Sequence, residues 1–247
     1  MKNLIEERSH MVVKRNDLIQ KSRHQMNLQE QKIVMYMISK IKPNDKAFRE
    51  QIFSITEFCQ ICGLDGDSGG NYAYIKNTFK SISDKSIWVK LDNGSEMLLR
   101  WFNSVIINEK NGSVQLMFDE KMKPYLLELK DNYTKYELIY TLTMRSKYSI
   151  RLYELFKSYL YRGQVIFEID LLKCLLFAEK YERNNNFKQK VLDIAVREIN
   201  ELTDIWIKYD FIKVGRKFSE VNFTISQKDI GERLTAGAKI EKVINKK

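Results

Sequence analysis

The chain has 247 residues, 44% of them hydrophobic, enough to bury cores and to exclude wholesale disorder. Its 42 Lys and Arg against 32 Asp and Glu leave a formal charge of +10, which suits a polyanionic partner. No apolar run approaches the roughly 20 residues that span a bilayer, and residues 1–7 lack a signal-peptide core, so a cytoplasmic protein with no membrane partner is expected.

Residues 1–25 are polar and basic, with Lys14, Arg15, Lys21 and Arg23, and read as an arm. Residues 27–31 then open a helix with Leu28, Ile33, Met37, Ile38 and Ile41 as apolar positions; Pro43 ends it, because proline cannot continue the hydrogen-bond ladder. A short strand at 51–55 precedes a helix through Leu64, with Thr56 as its N-cap. The glycine-rich stretch 63–70 makes a turn. Asp65 and Asp67 alternate there as in a calcium loop, but the later ligands and terminal Glu are missing. The next helix, 72–84, places Ile75, Phe79 and Ile82 on one stripe. Its opposite face carries Tyr74, Asn77 and Ser81, flanked by Lys76 and Lys80. Strands at 86–91, 98–108 and 113–118 are joined by Asn93-Gly94 and Asn111-Gly112, strong hairpin signals, and form a three-stranded wing. A helical pattern at 120–129 closes the module.

The same order then recurs. Thr143 caps a helix at 144–161 with Tyr148, Leu152, Leu155, Phe156 and Tyr159 on its apolar face, and Gly163 stops it. A strand at 164–169 leads to a helix at 171–177 capped by Asp170, a turn at 179–186 and a long helix at 187–203. Strands at 205–214 and 221–226 make a second wing with its tip at 215–219. The repeat is plainest where Phe53-Ser54-Ile55-Thr56 and Ile87-Trp88-Val89-Lys90 are echoed by Phe167-Glu168-Ile169-Asp170 and Ile205-Trp206-Ile207-Lys208. Strand, helix, turn, longer helix and hairpin is the order of a winged helix-turn-helix. The expected fold is α+β: two tandem winged helix-turn-helix domains related by an internal repeat, each a helical bundle with a β-hairpin or three-stranded wing. The expected divisions are a basic arm at 1–25, winged helices at 26–132 and 133–226, and a polar tail at 227–247, either a frayed helix or disordered.

Helical projection of 187–203 sets Phe187, Val191, Ile194, Ala195 and Leu202 toward the core. Asn186, Gln189, Lys190, Asp193, Arg197 and Asn200 fall on the other face, a set rich in side chains that make directed contacts to base edges. A solvated helix face has the same composition. Its position after a helix and turn, and before a basic hairpin, favours DNA contact. The expected DNA-binding set is Asn186, Lys188, Gln189, Lys190, Asp193 and Arg197 on this helix, Arg216 and Lys217 at the wing tip, and Asn77 and Lys80 in the first module. Asp193 must accept from a cytosine amino group or orient Arg197. Arg216 and Lys217 fit phosphate or minor-groove contact. The first module's face is less charged, so it is expected to contact mainly the backbone. Glu198 projects coreward and needs a partner, for which Arg145 and Arg151 are candidates.

Catalytic signatures are missing. There is no G-x-x-x-x-G-K-[ST] phosphate loop, and His10 and His24 alone cannot build the paired-histidine metal site of a nicking enzyme. Cys59 and Cys62 form a C-x-x-C inside an apolar run, and with Cys174 they read as core packing rather than a metal site. Binding without catalysis, metal or cofactor is the expectation.

Residues 143–160, T-M-R-S-K-Y-S-I-R-L-Y-E-L-F-K-S-Y-L, resemble the helix opening the second winged helix of the iteron-binding plasmid replication initiators. Residues 191–208, V-L-D-I-A-V-R-E-I-N-E-L-T-D-I-W-I-K, followed by Gly215-Arg216-Lys217, are similar to the same family, as are Val13-Lys14-Arg15-Asn16-Asp17-Leu18-Ile19 and Leu28-Gln29-Glu30-Gln31-Lys32. The similarity spans residues 12–226. It implies a protein that binds directly repeated origin sites (iterons) in double-stranded DNA as a monomer and helps open the duplex. It also implies a homodimer in equilibrium with the monomer, formed through the first module's strand at 98–108, that represses its own gene. Host helicase, primase and initiator are the implied partners. Two modules in adjacent major grooves would span roughly 20 bp of non-palindromic site. Open alternatives are a dedicated transcriptional regulator with no replication role, a nicking replication enzyme and a protein-interaction module.

Overall fold

A computed structural model describes residues 9–42, 45–62, 71–215 and 217–245. The chain divides into two compact units, at Leu142/Thr143. The glycine-rich turn expected at 63–70, Pro43 and Arg216 lie outside the described residues.

The first unit begins earlier than the sequence pattern suggests. Residues Met11–Arg15 form strand β1, which pairs antiparallel with β8 (Tyr133–Glu137) from Met11↔Glu137 to Arg15↔Tyr133. A short helix, α1 (Asn16–Gln20), and strand β2 (Ser22–Arg23) follow. The expected arm is therefore folded from Met11, and residues 133–142 belong to the first unit rather than the second. The alternation in β1 is hidden in sequence because its second inward residue is a lysine. Lys14 is buried, its Nζ 3.5 Å from Met35 Sδ.

Helix α2 (Leu28–Ser39) opens on a capping box: Glu30 N donates to Asn27 Oδ1, and Asn27 N donates to Glu30 Oε2. Its residues 30–39 are all buried, so it is a central helix with no solvent face. Strand β3 (Gln51–Ser54) leads to α3 (Ile55–Cys62), which starts at Ile55, before the expected cap Thr56; Glu57 N donates to Ser54 Oγ instead. Helix α4 (Asn71–Ser83) follows. Phe53, Phe58, Phe79, Phe102, Phe118 and Tyr36 form a chain of ring contacts with centroids 5.3–6.3 Å apart.

The expected three-stranded wing is two sheets. Strands β4 (Ile87–Lys90) and β5 (Glu96–Leu99) join β2 in the order β2-β4-β5, whereas β6 (Phe102–Asn108) and β7 (Ser113–Phe118) join β3 in the order β3-β7-β6. The run 98–108 reads as one strand, but Trp101 and Phe102 are consecutive and both buried. Two adjacent inward side chains cannot occupy one pleated strand, and there the chain passes from one sheet to the other. A 3-10 turn at Glu120–Met122 and helix α5 (Lys123–Leu126), with Pro124 in its first turn, precede β8; helix α6 (Leu138–Thr143) ends the unit.

In the second unit, α7 (Lys147–Tyr159) is capped by Ser146, which accepts from Tyr148 N; Thr143, the expected cap, closes α6. Gly163 (φ 68°) takes the left-handed conformation that admits glycine readily and starts β9 (Gln164–Glu168). Helix α8 (Ile169–Leu175) begins before Asp170, which lies in its first turn rather than at its cap. Helix α9 (Asn184–Phe187), a π turn (Lys188–Leu192) and α10 (Asp193–Leu202) together make the expected long helix. Strands β10 (Ile205–Val214) and β11 (Lys217–Gln227) form the wing, with β9 on the far side of β11. The expected tail is helix α11 (Ile230–Asn245), seated on α10 and burying Ala236 and Ile240. Its inward stripe is one alanine and one isoleucine in a lysine-rich stretch, too sparse to register as amphipathic.

Candidate nucleic-acid interface

The helix expected to read DNA departs from uniform α geometry at Lys188–Leu192. In an α-helix, residues five apart lie about 140° apart around the axis. The wider π turn brings Lys188 and Asp193 together, so that Lys188 Nζ donates to both Asp193 oxygens at 3.0 and 2.9 Å. The Tyr209 hydroxyl on β10 donates to the same carboxylate at 2.5 Å. Burial pushes the Asp193 carboxyl up, but Tyr209 and Lys188 outweigh it and hold it below the usual carboxylate range. Burial, then the bond to Asp193, push the Tyr209 phenol well above its ordinary value. Asp193 is thus occupied in joining helix to wing. Neither expected role, accepting from cytosine or orienting Arg197, is the one this geometry gives it.

Asn186, Gln189, Lys190 and Arg197 are exposed, and none of their side chains has a hydrogen-bond or ion-pair partner among the described residues. Phe187, Val191, Ala195 and Leu202 face the core as expected. Past the π turn the projection fails at two positions, Ile194 and Asn200. Ile194 is only half-buried, and Asn200, projected outward, turns to the sheet. Its Nδ2 donates to Ile207 O at 2.9 Å while Ile207 N donates to its Oδ1 at 2.7 Å, completing the outer edge of β10. Glu198 accepts from the backbone N of Arg145 and Ser146 at 3.2–3.3 Å. The expected partner Arg145 is met through its main chain, and Glu198 satisfies orphan donors at the start of α7.

The turn before the helix is held by Lys173, buried, whose Nζ donates to Glu182 O at 3.0 Å and Asn184 Oδ1 at 3.1 Å. Asn184 Nδ2 donates to Phe218 O at 3.0 Å, tying the start of the helix to the wing. Gly215 (φ +67°) makes the wing tip. The tip is narrower than expected, since β11 starts at Lys217 and a register shift accommodates Ser219. Arg183, Lys208 and Lys213 add exposed cations around the helix. Lys173, Asn184 and Tyr209 had no signal in sequence, because each acts through a contact that spacing along one helix does not reveal.

In the first unit, Asn77 and Lys80 are exposed on α4, and Lys80 pairs with Asp84 at 2.6 Å. Ser81, expected beside them, donates to the buried Glu30 at 2.6 Å. Lys85 Nζ reaches both Glu30 oxygens at 2.6 Å.

The family profile described as "Initiator Replication protein, WH1" matches residues 11–157, and "Initiator Rep protein, WH2" matches residues 168–225. The chain belongs to the initiator replication protein family. It is a replication initiator of two winged helices, and the first match begins where β1 begins. A replication initiation protein of Escherichia coli is 21% identical over 229 residues, covering 88% of this chain and 70% of that one. The PI protein of Escherichia coli is 27% identical over 145 residues, covering 51% of this chain and 47% of its own length. A crystal structure of Pi initiator protein in complex with iteron DNA shares the fold: TM-score 0.73 at 20% identity, covering 90% of this chain and 99% of that one. Among the described residues no cluster of three or more His, Cys, Asp or Glu is placed to hold a metal, and no helix is long and apolar enough to cross a membrane.

Proposed function

We propose that this initiator binds directly repeated origin sites in double-stranded plasmid DNA and promotes opening of the duplex. The observation that carries the reading is the outward face of α9–α10: Asn186, Gln189, Lys190 and Arg197 exposed and unpartnered, flanked by the basic wing. Such a helix lies in the major groove with bidentate side chains at base edges. Lys217 and Arg216 at the wing, with Lys208 and Lys213, supply phosphate contacts that set orientation and salt dependence. Lys188 and Asp193 shape this surface by fixing the π turn. Asn77 and Lys80 of the first unit contribute backbone contacts.

The PI relative's structure with iteron DNA supports the choice of direct repeats. The strand order β3-β7-β6 leaves β6 at a sheet edge with Ile106 exposed, which suits pairing with a second copy. The dimer so formed represses the protein's own gene, and the monomer acts at the origin in the cytoplasm with host helicase and initiator. The reading assigns no catalytic step. Binding of the purified protein to direct-repeat and scrambled duplexes tests it: a monomer per repeat with strong preference is expected, and equal affinity for both duplexes overturns it.

A further inference from the structure

The element that finishes α10 lies beyond the family match, which ends at residue 225. Lys228 is buried, and its Nζ donates to Asn200 O at 2.5 Å and Thr203 O at 2.7 Å, carbonyls at the C-terminal end of α10. An ammonium there meets both the orphan carbonyls and the negative end of the helix dipole. The same Nζ sits 4.5 Å from the Trp206 ring centroid on β10, and Lys228 N donates to Asp204 O at 2.9 Å. Gln227 Nε2 donates to Asp204 O at 3.1 Å. Helix α11 then lies on α10 through Ala236 and Ile240. Asn200 is the junction, its side chain on β10 and its carbonyl on Lys228.

We propose that Lys228 and α11 form a brace that fixes the angle of α10 against the wing, making Lys228 a positioning residue for DNA recognition from outside the winged helix. The inference rests on the reading of α9–α10 as the DNA-reading helix. An initiator must seat Gln189, Lys190 and Arg197 against base edges at once, and a rigid-body tilt of α10 at its far end would misplace all three. Phosphate contacts tolerate such a tilt better, because long lysine side chains reach adjacent oxygens. Loss of the brace should therefore cost discrimination more than general affinity. Burial lowers the Lys228 ammonium to about 8, with Asp204 and Glu232 raising it and Lys239 lowering it; Lys157 shares Asp204 at 2.7 Å.

The test compares full-length wild type and Lys228→Met on a direct-repeat duplex from the protein's own replicon and on a scrambled duplex, from pH 7 to 9.5. In wild type, preference for the repeat should fall roughly tenfold with a midpoint near pH 8, while scrambled-DNA affinity changes about twofold or less over the same span. Lys228→Met should show the lowered preference at pH 7 and no midpoint near 8. A folded Lys228→Met with wild-type preference overturns the brace. If that variant does not fold, Ala236→Glu, which places a charge in the contact of α11 with α10 and leaves Lys228 in place, decides instead, and a folded Ala236→Glu with wild-type preference overturns the brace. Wild type that prefers neither duplex at pH 7 overturns the underlying reading, and the brace with it.

Discussion

Replacing Lys85 with methionine should destabilise the first unit through a single buried carboxylate. The Glu30 side chain is fully buried and holds Asn27 N, Ser81 Oγ and Lys85 Nζ, with both carboxylate oxygens 2.6 Å from the ammonium. Breaking a fully buried pair by removing one partner costs about 3–5 kcal/mol. Lys85 remains 30% exposed, so water screens part of its charge. Two neutral donors also stay in place, and about 2–3 kcal/mol is the expected loss. Burial pushes the Glu30 carboxyl up, but Lys85, Ser81 and Asn27 together hold it below its ordinary value. A carboxyl depressed in the folded state stabilises above its unfolded pKa, about 4.3, and that stabilisation is lost as pH falls through the folded value. The difference between wild type and Lys85→Met in urea unfolding should therefore be full at pH 7 and shrink below pH 4. A loss under about 0.5 kcal/mol at pH 7, or an equal loss at both pH values, would refute the reasoning.

Asn200→Ala should cost about 1–3 kcal/mol by leaving the Ile207 edge groups unmet, read as a lower urea midpoint with unchanged slope. Lys217→Ala should weaken repeat and scrambled DNA alike and flatten the salt slope by about one unit, checked by titration across salt. Cys59 is buried and its thiol pushed up by burial, so Ellman's reagent should reach it only after denaturant is added.

Much of the fold was legible where apolar periodicity and turn chemistry agreed. The opening of α2 at residues 27–31, the stripe of Ile75, Phe79 and Ile82, and the Gly163 stop all stand where local pattern places them. Pattern misled where an inward position carries a charge or a small side chain. Lys14 disguised β1 as an arm, and Ala236 disguised α11 as a tail. Trp101 beside Phe102 hid the change of sheet, because period-two reading assumes one strand keeps one face. The DNA-facing helix was half legible. Composition placed Gln189, Lys190 and Arg197 outward, but Asn200, projected onto the same face, bonds the main chain of Ile207 at the edge of β10. Contacts made between elements, such as Asp193 with Tyr209 and Lys173 with Asn184, have no signature along the chain.

The central claim is that α9–α10 reads the repeats, and Arg197 tests it most directly. Binding of wild type and Arg197→Ala to direct-repeat and scrambled duplexes should be measured across salt, with stoichiometry by mass. One wild-type monomer per repeat of roughly 20 bp is expected, and Arg197→Ala should lose about 1–3 kcal/mol on the repeat with little change on scrambled DNA. Equal loss on both duplexes, or binding only as dimers to an inverted repeat, would contradict it.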